Sequence, residues 1–357
     1  MFIVIGPEDS QWFNHIRLGI APRFDYRLVA DRCHGEIREF YPSSAMLSGH
    51  KLLRSSRSLA ANTWLACQTI RSIPWGSVIY STGETWGLPI ALASNVMGRR
   101  HIHIAYVHRI YSATWLRLIR YLRPFLHVDG WICITEFQAG LLRRTLGRKG
   151  APVAVVSQGV DTAFFDPNRA HSHREQPYIL SVGAEMRNYP LLFEAVRDLD
   201  TRVIVKASSS WMTKTRQQLT SIPGNTELLT DHLSHPELRD LYAGASFVVM
   251  PLYDTPQAAG ITGILEALAM GKCVIASRSR GLPDALIDGS TGIVVDPDVD
   301  KLAQGIRDLL SQADQTASLG ENGYRLIRKA YSLEAYAEGV MNFINQIAAK
   351  AACRQSG

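Results

Sequence analysis
The chain has 357 residues, 46% of them hydrophobic and 20% charged, which is ordinary for a globular protein and long enough for two domains. No apolar run reaches the length of a membrane span, and five scattered cysteines without CxxC spacing argue against a disulfide framework or a metal ribbon and for reduced thiols in a cytoplasmic protein. The net charge of +6 is uneven: residues 1–170 hold 20 Lys and Arg against 11 Asp and Glu, residues 171–357 hold 18 against 21, so the first half is suited to an anionic partner such as a membrane surface, a phosphorylated acceptor or nucleic acid.

The opening MFIVIGPEDSQ has no basic stretch before its apolar residues, which predicts no signal peptide. Residues 2–5 read as a strand. Gly6-Pro7-Glu8-Asp9-Ser10 follows where a dinucleotide-binding protein would show GxGxxG, so that fingerprint is missing. Further strands are predicted over 26–30, 77–81, 101–108, 131–135 and 152–156. Helices are predicted over about 45–71, from the loop Gly83–Gly87 to about 97, over 113–125 and over 136–146. The polar stretch 166–176 is the expected linker. A second alternation follows, with strands over 178–182, 202–206, 226–229, 247–250, 273–276 and 292–295, and helices between and after them. This rhythm predicts two doubly wound, Rossmann-like α/β domains, each with a mostly parallel sheet. Ligands of such sheets bind beyond the carboxyl ends of the strands, and a cleft between two such domains is the expected site.

The stretch QAAGITGILEALAMGK, residues 257–272, follows the apolar run Phe247-Val-Val-Met-Pro251. Gly260 and Gly263 stand where the chain turns into a helix, which runs to about Met270 and stops at Gly271. That helix is apolar nearly all round, so it should be buried. It carries one carboxylate, Glu266, which needs a partner or costs about 2–7 kcal/mol. Helical side chains lean toward the N-terminus, so Glu266 can reach over the first turn, where free N–H groups and the positive end of the helix dipole suit a phosphate. One element thus offers an anion site and an acceptor for hydroxyls, the two groups of a sugar nucleotide. The alternative is a core helix whose glutamate pairs with an arginine elsewhere.

Together with Gly281, Asp288-Gly289, Gly292-Ile293-Val294-Val295 and Pro297, residues 257–272 resemble the signature of the family-4 retaining glycosyltransferases, which have the GT-B fold. Ser157-Gln158-Gly159-Val160-Asp161, Phe165 and Pro167 are similar to the hinge that ends the N-terminal domain in that family. Ser181-Val182-Gly183 and the segment 237–246 also match. The resemblance implies an acceptor-binding domain over 1–166, a nucleotide-sugar-binding domain over 177–330, and a final segment 331–357 packing back on the first domain. It implies a donor site at Gly260, Ile261, Thr262, Gly263 and Glu266, with Glu266 on the ribose hydroxyls. Family members carry a second glutamate eight positions earlier, on the donor sugar; here that position is Ala258, with Asp254 or Gln257 as candidates to compensate. Of the two basic residues expected at the diphosphate, one position is Ala184 and the other Arg187, and Lys206 can supply the missing charge. His108 matches the histidine placed by the donor sugar, and Glu84 is a candidate for acceptor hydroxyls.

The resemblance implies transfer of a hexose-type sugar from a nucleotide diphosphate sugar, by default a UDP-sugar, to a hydroxyl acceptor with retention and without a metal or other cofactor. Asp296-Pro-Asp298 resembles a metal-binding DxD but reads as a turn and helix cap. Lys51, Arg54 and Arg57, and Arg117, Arg120 and Arg123 among aromatic residues, suit peripheral contact with an anionic inner membrane face; each set also fits a solvated helix face. The alternatives are an epimerase or phosphorylase on the same fold, and a catalytically silent nucleotide-sugar-binding homologue or membrane scaffold, which Ala258 and Ala184 favour. No recognition motif supports nucleic acid as a partner.

Overall fold
The computed structural model of the protein describes residues 1–6, 10–39, 64–109, 113–122, 125–148, 150–171, 176–207, 221–231 and 233–355. The chain divides into two units: Met1–Trp12, Phe24–Val156 and Ala337–Gly357 form the first, and Phe13–Arg23 with Ser157–Tyr336 form the second.

The first unit holds a six-stranded parallel sheet of β1 (Phe2–Ile5), β2 (Glu36–Glu39), β3 (Val78–Ser81), β4 (Ile102–Val107), β5 (Gly130–Cys133) and β6 (Val153–Val155), in the order β2-β1-β3-β4-β5-β6. The central strands are covered on both faces, so they read as near-continuous apolar runs. Val4 and Ile79 pack with Ile70, Ile73 and Ile90. Ala105, Val107, Trp131 and Cys133 pack with Ile119 and Leu142. Its helices are the start of α1 (Ser10–Arg17), whose residues from Phe13 on belong to the second unit, together with α2 (Asp25–Cys33), α3 (64–72), α4 (Glu84–Val96), α5 (Ala113–Leu122) and α6 (Glu136–Leu146). In the long C-terminal helix, Phe343 and Ile347 lie so close to Gly130 that a Cβ there would meet them at 2.8 and 3.1 Å.

One strand assignment is corrected. Residues 26–30 are not a strand but the middle of α2, and the strand is β2, EIRE. Only Val29 and Ala30 of α2 are buried, and His34 in the left-handed region (φ 48°) ends the helix. β2 is polar because it is the edge strand, where charged side chains are normal. Lys51, Arg54, Arg57 and Arg123 lie outside the described residues.

The second unit holds another six-stranded parallel sheet: β7 (Tyr178–Val182), β8 (Val203–Lys206), β9 (Thr226–Leu228), β10 (Ala245–Met250), β11 (Val274–Ser277) and β12 (Gly292–Val295), in the order β12-β11-β10-β7-β8-β9. All five residues of β7 are buried. Around the sheet lie α7 (Tyr189–Val196), α8 (His235–Gly244), α9 (Ile261–Ala269), α10 (Val299–Ser311), α11 (Ala313–Leu326) and the start of α12 (Leu333–Gln355). Leu192 and Phe193 of α7 and Leu302 and Ile306 of α10 cover one face. Phe13–Arg23 is tied in through Arg23, whose backbone N–H and guanidinium bond Asp161 at 2.8–3.0 Å and whose Nη2 reaches Glu334 at 3.0 Å. Burial pushes the Asp161 carboxyl up, but these bonds outweigh it and hold it below its usual range.

The strand order reverses between β7 and β10, and ligands of such sheets bind at this switch point, outside the carboxyl ends of the two strands. Among the described residues, no helix is long and apolar enough to cross a membrane.

Candidate functional site
The crevice between the loops after β7 and β10 is built by backbone first. After β7 the chain turns through Gly183 (φ 87°) and Met186 (φ 56°), both in the left-handed region. This loop zips onto the one after β10: Asn188 N–H bonds Pro251 O at 2.7 Å, Tyr253 N–H bonds Met186 O at 3.0 Å, and Arg187 bridges Leu252. Helix α9 then starts at Gly260, whose φ of 78° is strained for any side chain but easy for glycine. No side chain caps α9. The N–H groups of Ile261, Thr262 and Gly263 therefore have no acceptor one turn earlier, and they point their partial positive charge into the crevice. Gly263 lets the helix approach the strand ends, since a Cβ there would meet Met250 Cε at 2.9 Å and Val182 Cγ2 at 3.1 Å.

Arg187 sits under this turn, 4% exposed. Its Nε donates to Val182 O at 3.0 Å and its Nη1 to Glu185 O at 2.9 Å. Its Nη2 lies 2.8 Å from where a Gly183 Cβ would stand, and its Nη1 3.4 Å from a Gly260 Cβ, so the two glycines make room for the guanidinium. Two of its five N–H donors serve these carbonyls, and the rest remain beside the crevice. Burial lowers the Arg187 pKa, against the pull of Tyr189, Tyr242 and Glu185.

Glu266 lies one turn into α9, half-buried. Its partner is a tyrosine, not an arginine: the fully buried Tyr242 hydroxyl donates to Oε2 at 2.9 Å. Burial pushes the Glu266 carboxyl up to about 7, while the Tyr242 bond pulls it down. Burial and the Glu266 charge push Tyr242 well above its ordinary value. Lys206, at the end of β8 and 5% exposed, donates to the carbonyls of Asp231 and Leu229. The two nearby carboxylates are engaged elsewhere, Glu227 with Arg202 at 2.6 Å and Glu185 with the Gln257 amide. Burial lowers the Lys206 pKa. Arg187, Lys206, Gly260–Gly263, Tyr242 and Glu266 line one cavity of about 390 Å³, within the second unit, in the size range of small-molecule sites. Its chemistry is cationic at the α9 end and hydrogen-bond accepting at Glu266. Tyr242 was missed as a site residue in the sequence; the tell-tale was its place in the matching segment 237–246.

Of the compensating residues considered for Ala258, Asp254 is held by Arg280 through Nε at 3.0 Å, and Gln257 bonds Glu185. His108 and Glu84 meet each other in the first unit. Glu84, 4% exposed at the start of α4, accepts the His108 backbone N–H at 3.0 Å, and the His108 ring bonds Thr82 O through Nε2 at 2.9 Å. Glu84 thus holds the turn after β4. In the turn after β12, Asp298 caps α10 by accepting Lys301 N–H at 3.1 Å, and Asp296 pairs with Arg278 and Lys301.

Residues 164–326, which contain this cavity, match the family model of glycosyl transferases group 1. Over 187 residues the chain is 29% identical to a GDP-mannose-dependent alpha-(1-6)-phosphatidylinositol monomannoside mannosyltransferase of Mycolicibacterium smegmatis, covering 46% of this chain and 49% of that protein. It is 33% identical over 159 residues to a D-inositol 3-phosphate glycosyltransferase of an Arthrobacter species, covering 42% and 37%. The matched stretches thus span half or less of these relatives. In fold it is similar to sucrose-phosphate synthase from Thermosynechococcus elongatus (TM-score 0.72, 15% identity, 98% of this chain and 100% of that one). It is also similar to Anabaena HepE in complex with UDP and glucose (TM-score 0.68, 15% identity, 97% and 100%). Residues 164–326 thus carry a glycosyl transferases group 1 domain, and the two parallel six-stranded sheets with their helices give the chain the GT-B fold of two Rossmann-like units.

Proposed function
We propose that the protein is a retaining glycosyltransferase that moves a hexose-type sugar from a nucleotide diphosphate sugar to an acceptor hydroxyl. The observation that carries this reading is the second unit's cavity, where the uncapped N-terminus of α9, Arg187 and Glu266 stand together. The diphosphate sits on the α9 amides beside Arg187, and Glu266 accepts the ribose hydroxyls. As the sugar–phosphate bond breaks, negative charge builds on the leaving diphosphate, and these fixed donors stabilise it without reorganising. Lys206 adds positive charge nearby. The acceptor hydroxyl attacks on the face the diphosphate leaves, and the departing phosphate takes its proton, so the reading assigns no protein nucleophile and no metal. It assigns His108 to the reaction as well: His108→Ala lowers turnover and leaves nucleotide affinity in place. UDP is the default base, and the mannosyltransferase relative, whose name carries GDP-mannose, makes GDP its main competitor.

The test is a thermal-shift screen against UDP, GDP, ADP and their common sugar conjugates, with Glu266→Ala as control. Ligand at about 100 times its Kd adds roughly 2.7 kcal/mol. A shift with one base that the variant loses supports the donor site and names the nucleotide; no shift with any base overturns it. Binding without transfer or donor hydrolysis favours a silent nucleotide-sugar-binding homologue.

The reading includes peripheral contact with the anionic inner face of a membrane, from the cytoplasm, through α5. That helix carries no acidic residue and exposes Arg117, Arg120, Leu118 (41%) and Tyr121 (75%), with Phe125 (55%) just beyond it. Such a face suits anionic headgroups and the acyl boundary. Sedimentation with phosphatidylglycerol-containing vesicles, absent with phosphatidylcholine alone and abolished by Arg117→Glu with Tyr121→Ser, supports it; equal behaviour of both vesicles refutes it.

A further inference from the structure
The cavity wall also includes Ala258 and Glu185; Ala258 precedes the α9 N-terminus, whereas Glu266 lies beyond it along the helix. Ala258, two residues before Gly260, offers only a methyl group. Beside it the Gln257 amide donates to Glu185 Oε1, joining two residues 72 positions apart. Both backbones are held. The Glu185 carbonyl takes the Arg187 guanidinium at 2.9 Å, and Glu185 lies between two left-handed residues, Gly183 and Met186. The Gln257 N–H bonds Thr255 Oγ1 at 3.2 Å, and its carbonyl accepts Ala259 N–H at 2.7 Å. The whole loop is strapped to the chain after β11: Thr255 N–H bonds Ser279 Oγ at 3.1 Å, and Asp254 accepts Arg280 N–H at 3.0 Å. Gly281 presses so closely that a Cβ there would lie 1.7 Å from Gln257 O. The side-chain pair is therefore presented by two rigid turns, although Glu185 itself is solvent-exposed.

The charge of Glu185 is in an unexpected place. The cations of the cavity, Arg187 and Lys206, serve an anion, whereas no ion pair among the described residues includes Glu185. A carboxylate beside a phosphate site repels phosphate, so it does not belong to the diphosphate grip. What it attracts is hydroxyl donors. A diphosphate seated on α9 with its nucleoside toward Glu266 sends its other substituent, the sugar, to the Ala258 side. We propose that Glu185, oriented by Gln257, accepts hydrogen bonds from hydroxyl groups of the donor sugar and so sets which sugar is transferred. The inference rests on the cavity taking a nucleotide diphosphate sugar, as argued above. The methyl of Ala258 leaves the room for the sugar to reach this pair.

The test compares nucleotide with nucleotide sugar on the full chain. Calorimetric Kd values are measured for UDP against UDP-glucose and GDP against GDP-mannose, on the wild type, Glu185→Gln, Glu185→Asp and Gln257→Ala, with and without Mg²⁺. The pair is exposed, so the variants should fold, and melting curves check this. The expected result is a Kd for the bare diphosphate unchanged within about twofold. For the sugar conjugate it rises roughly tenfold or more in Glu185→Gln and Gln257→Ala, the scale of one or two hydrogen bonds to a charged group. Glu185→Asp should recover part of the loss. Equal weakening of diphosphate and conjugate, or no weakening of either, overturns the proposal. So does a Mg²⁺-dependent affinity for the bare diphosphate that Glu185→Gln removes, because the carboxylate then holds a cation. If the wild type binds neither nucleotide, the donor-site reading itself fails and takes the inference with it.

Discussion

Replacing Glu266 by glutamine should make the empty protein more stable and a poorer binder. Burial lifts the Glu266 carboxyl from 4.5 to about 7. The folded protein thus keeps a proton that the unfolded chain releases between those values. The associated stability is fully present below about pH 4.5 and is lost as pH rises through about 7. Above both values the charge is held against its preference by about 3 kcal/mol, at 1.36 kcal/mol per pH unit. Glu266 lines a cavity, so water screens part of this, and a gain of about 1–3 kcal/mol is expected for Glu266→Gln at pH 8. The glutamine keeps the shape and an acceptor for the Tyr242 hydroxyl. For a unit of this size, 1 kcal/mol moves Tm by about 2–4 °C. Calorimetric melts from pH 4.5 to 8.5 should show the variant melting several degrees above the wild type at pH 8, with the difference closing toward pH 4.5. Above about pH 7 its nucleotide affinity should fall, because a carbonyl replaces a charged acceptor for the ribose hydroxyls, and the loss should narrow below that pH, where the wild-type carboxyl is itself protonated. A difference in Tm that does not change with pH would refute the reasoning that the carboxylate is buried against its preference.

Three further outcomes follow from particular contacts. Gly260→Ala forces a side chain into φ 78° with its Cβ 3.4 Å from Arg187 Nη1, which should cost about 1–2 kcal/mol and weaken nucleotide binding, read by melting and calorimetry. Gly281→Ala cannot keep its place 1.7 Å from Gln257 O; the loop must move, at about 1–3 kcal/mol, and affinity for the sugar conjugate should fall more than for the bare diphosphate. In the first unit, burial pushes fully buried His103 down to about 4, helped by the charges of His127 and His101 and opposed by the bond to His127 O. The unfolded chain binds a proton near pH 6.5 that the folded unit refuses, so stability is present above 6.5 and falls by up to about 3 kcal/mol on acidification to about 4. In His103→Gln, denaturant unfolding between pH 7 and 4 should show a smaller fall; an unchanged slope would exclude His103 as its source.

Much of the fold was legible because parallel strands covered on both faces must be apolar throughout. Tyr178–Val182 and Gly292–Val295 are strands over the residues the sequence predicts. The same rule misled at residues 26–30, where a short apolar run belongs to α2, and passed over β2, whose EIRE is polar because it lies at the sheet edge. A five-residue run has too few positions to separate a period of 2 from one of 3.6. The anion-binding turn at Gly260–Gly263 and the buried carboxylate at Glu266 were also readable, because a helix start, its glycines and the lean of its side chains are local.

The partners of those groups were not readable. Tyr242 meets Glu266 across 24 residues, and Gln257 meets Glu185 across 72. The sequence by itself determined the two parallel sheets, the helix that opens on glycines and the single carboxylate within it, since local sterics and periodic burial decide these. Only the tertiary structure decided that Glu266 answers to a tyrosine, that Arg187 lies beneath two glycines and that Glu185 stands on the cavity wall. Those contacts depend on where the strand order reverses between β7 and β10, which brings distant loops together, and no local pattern encodes that juxtaposition.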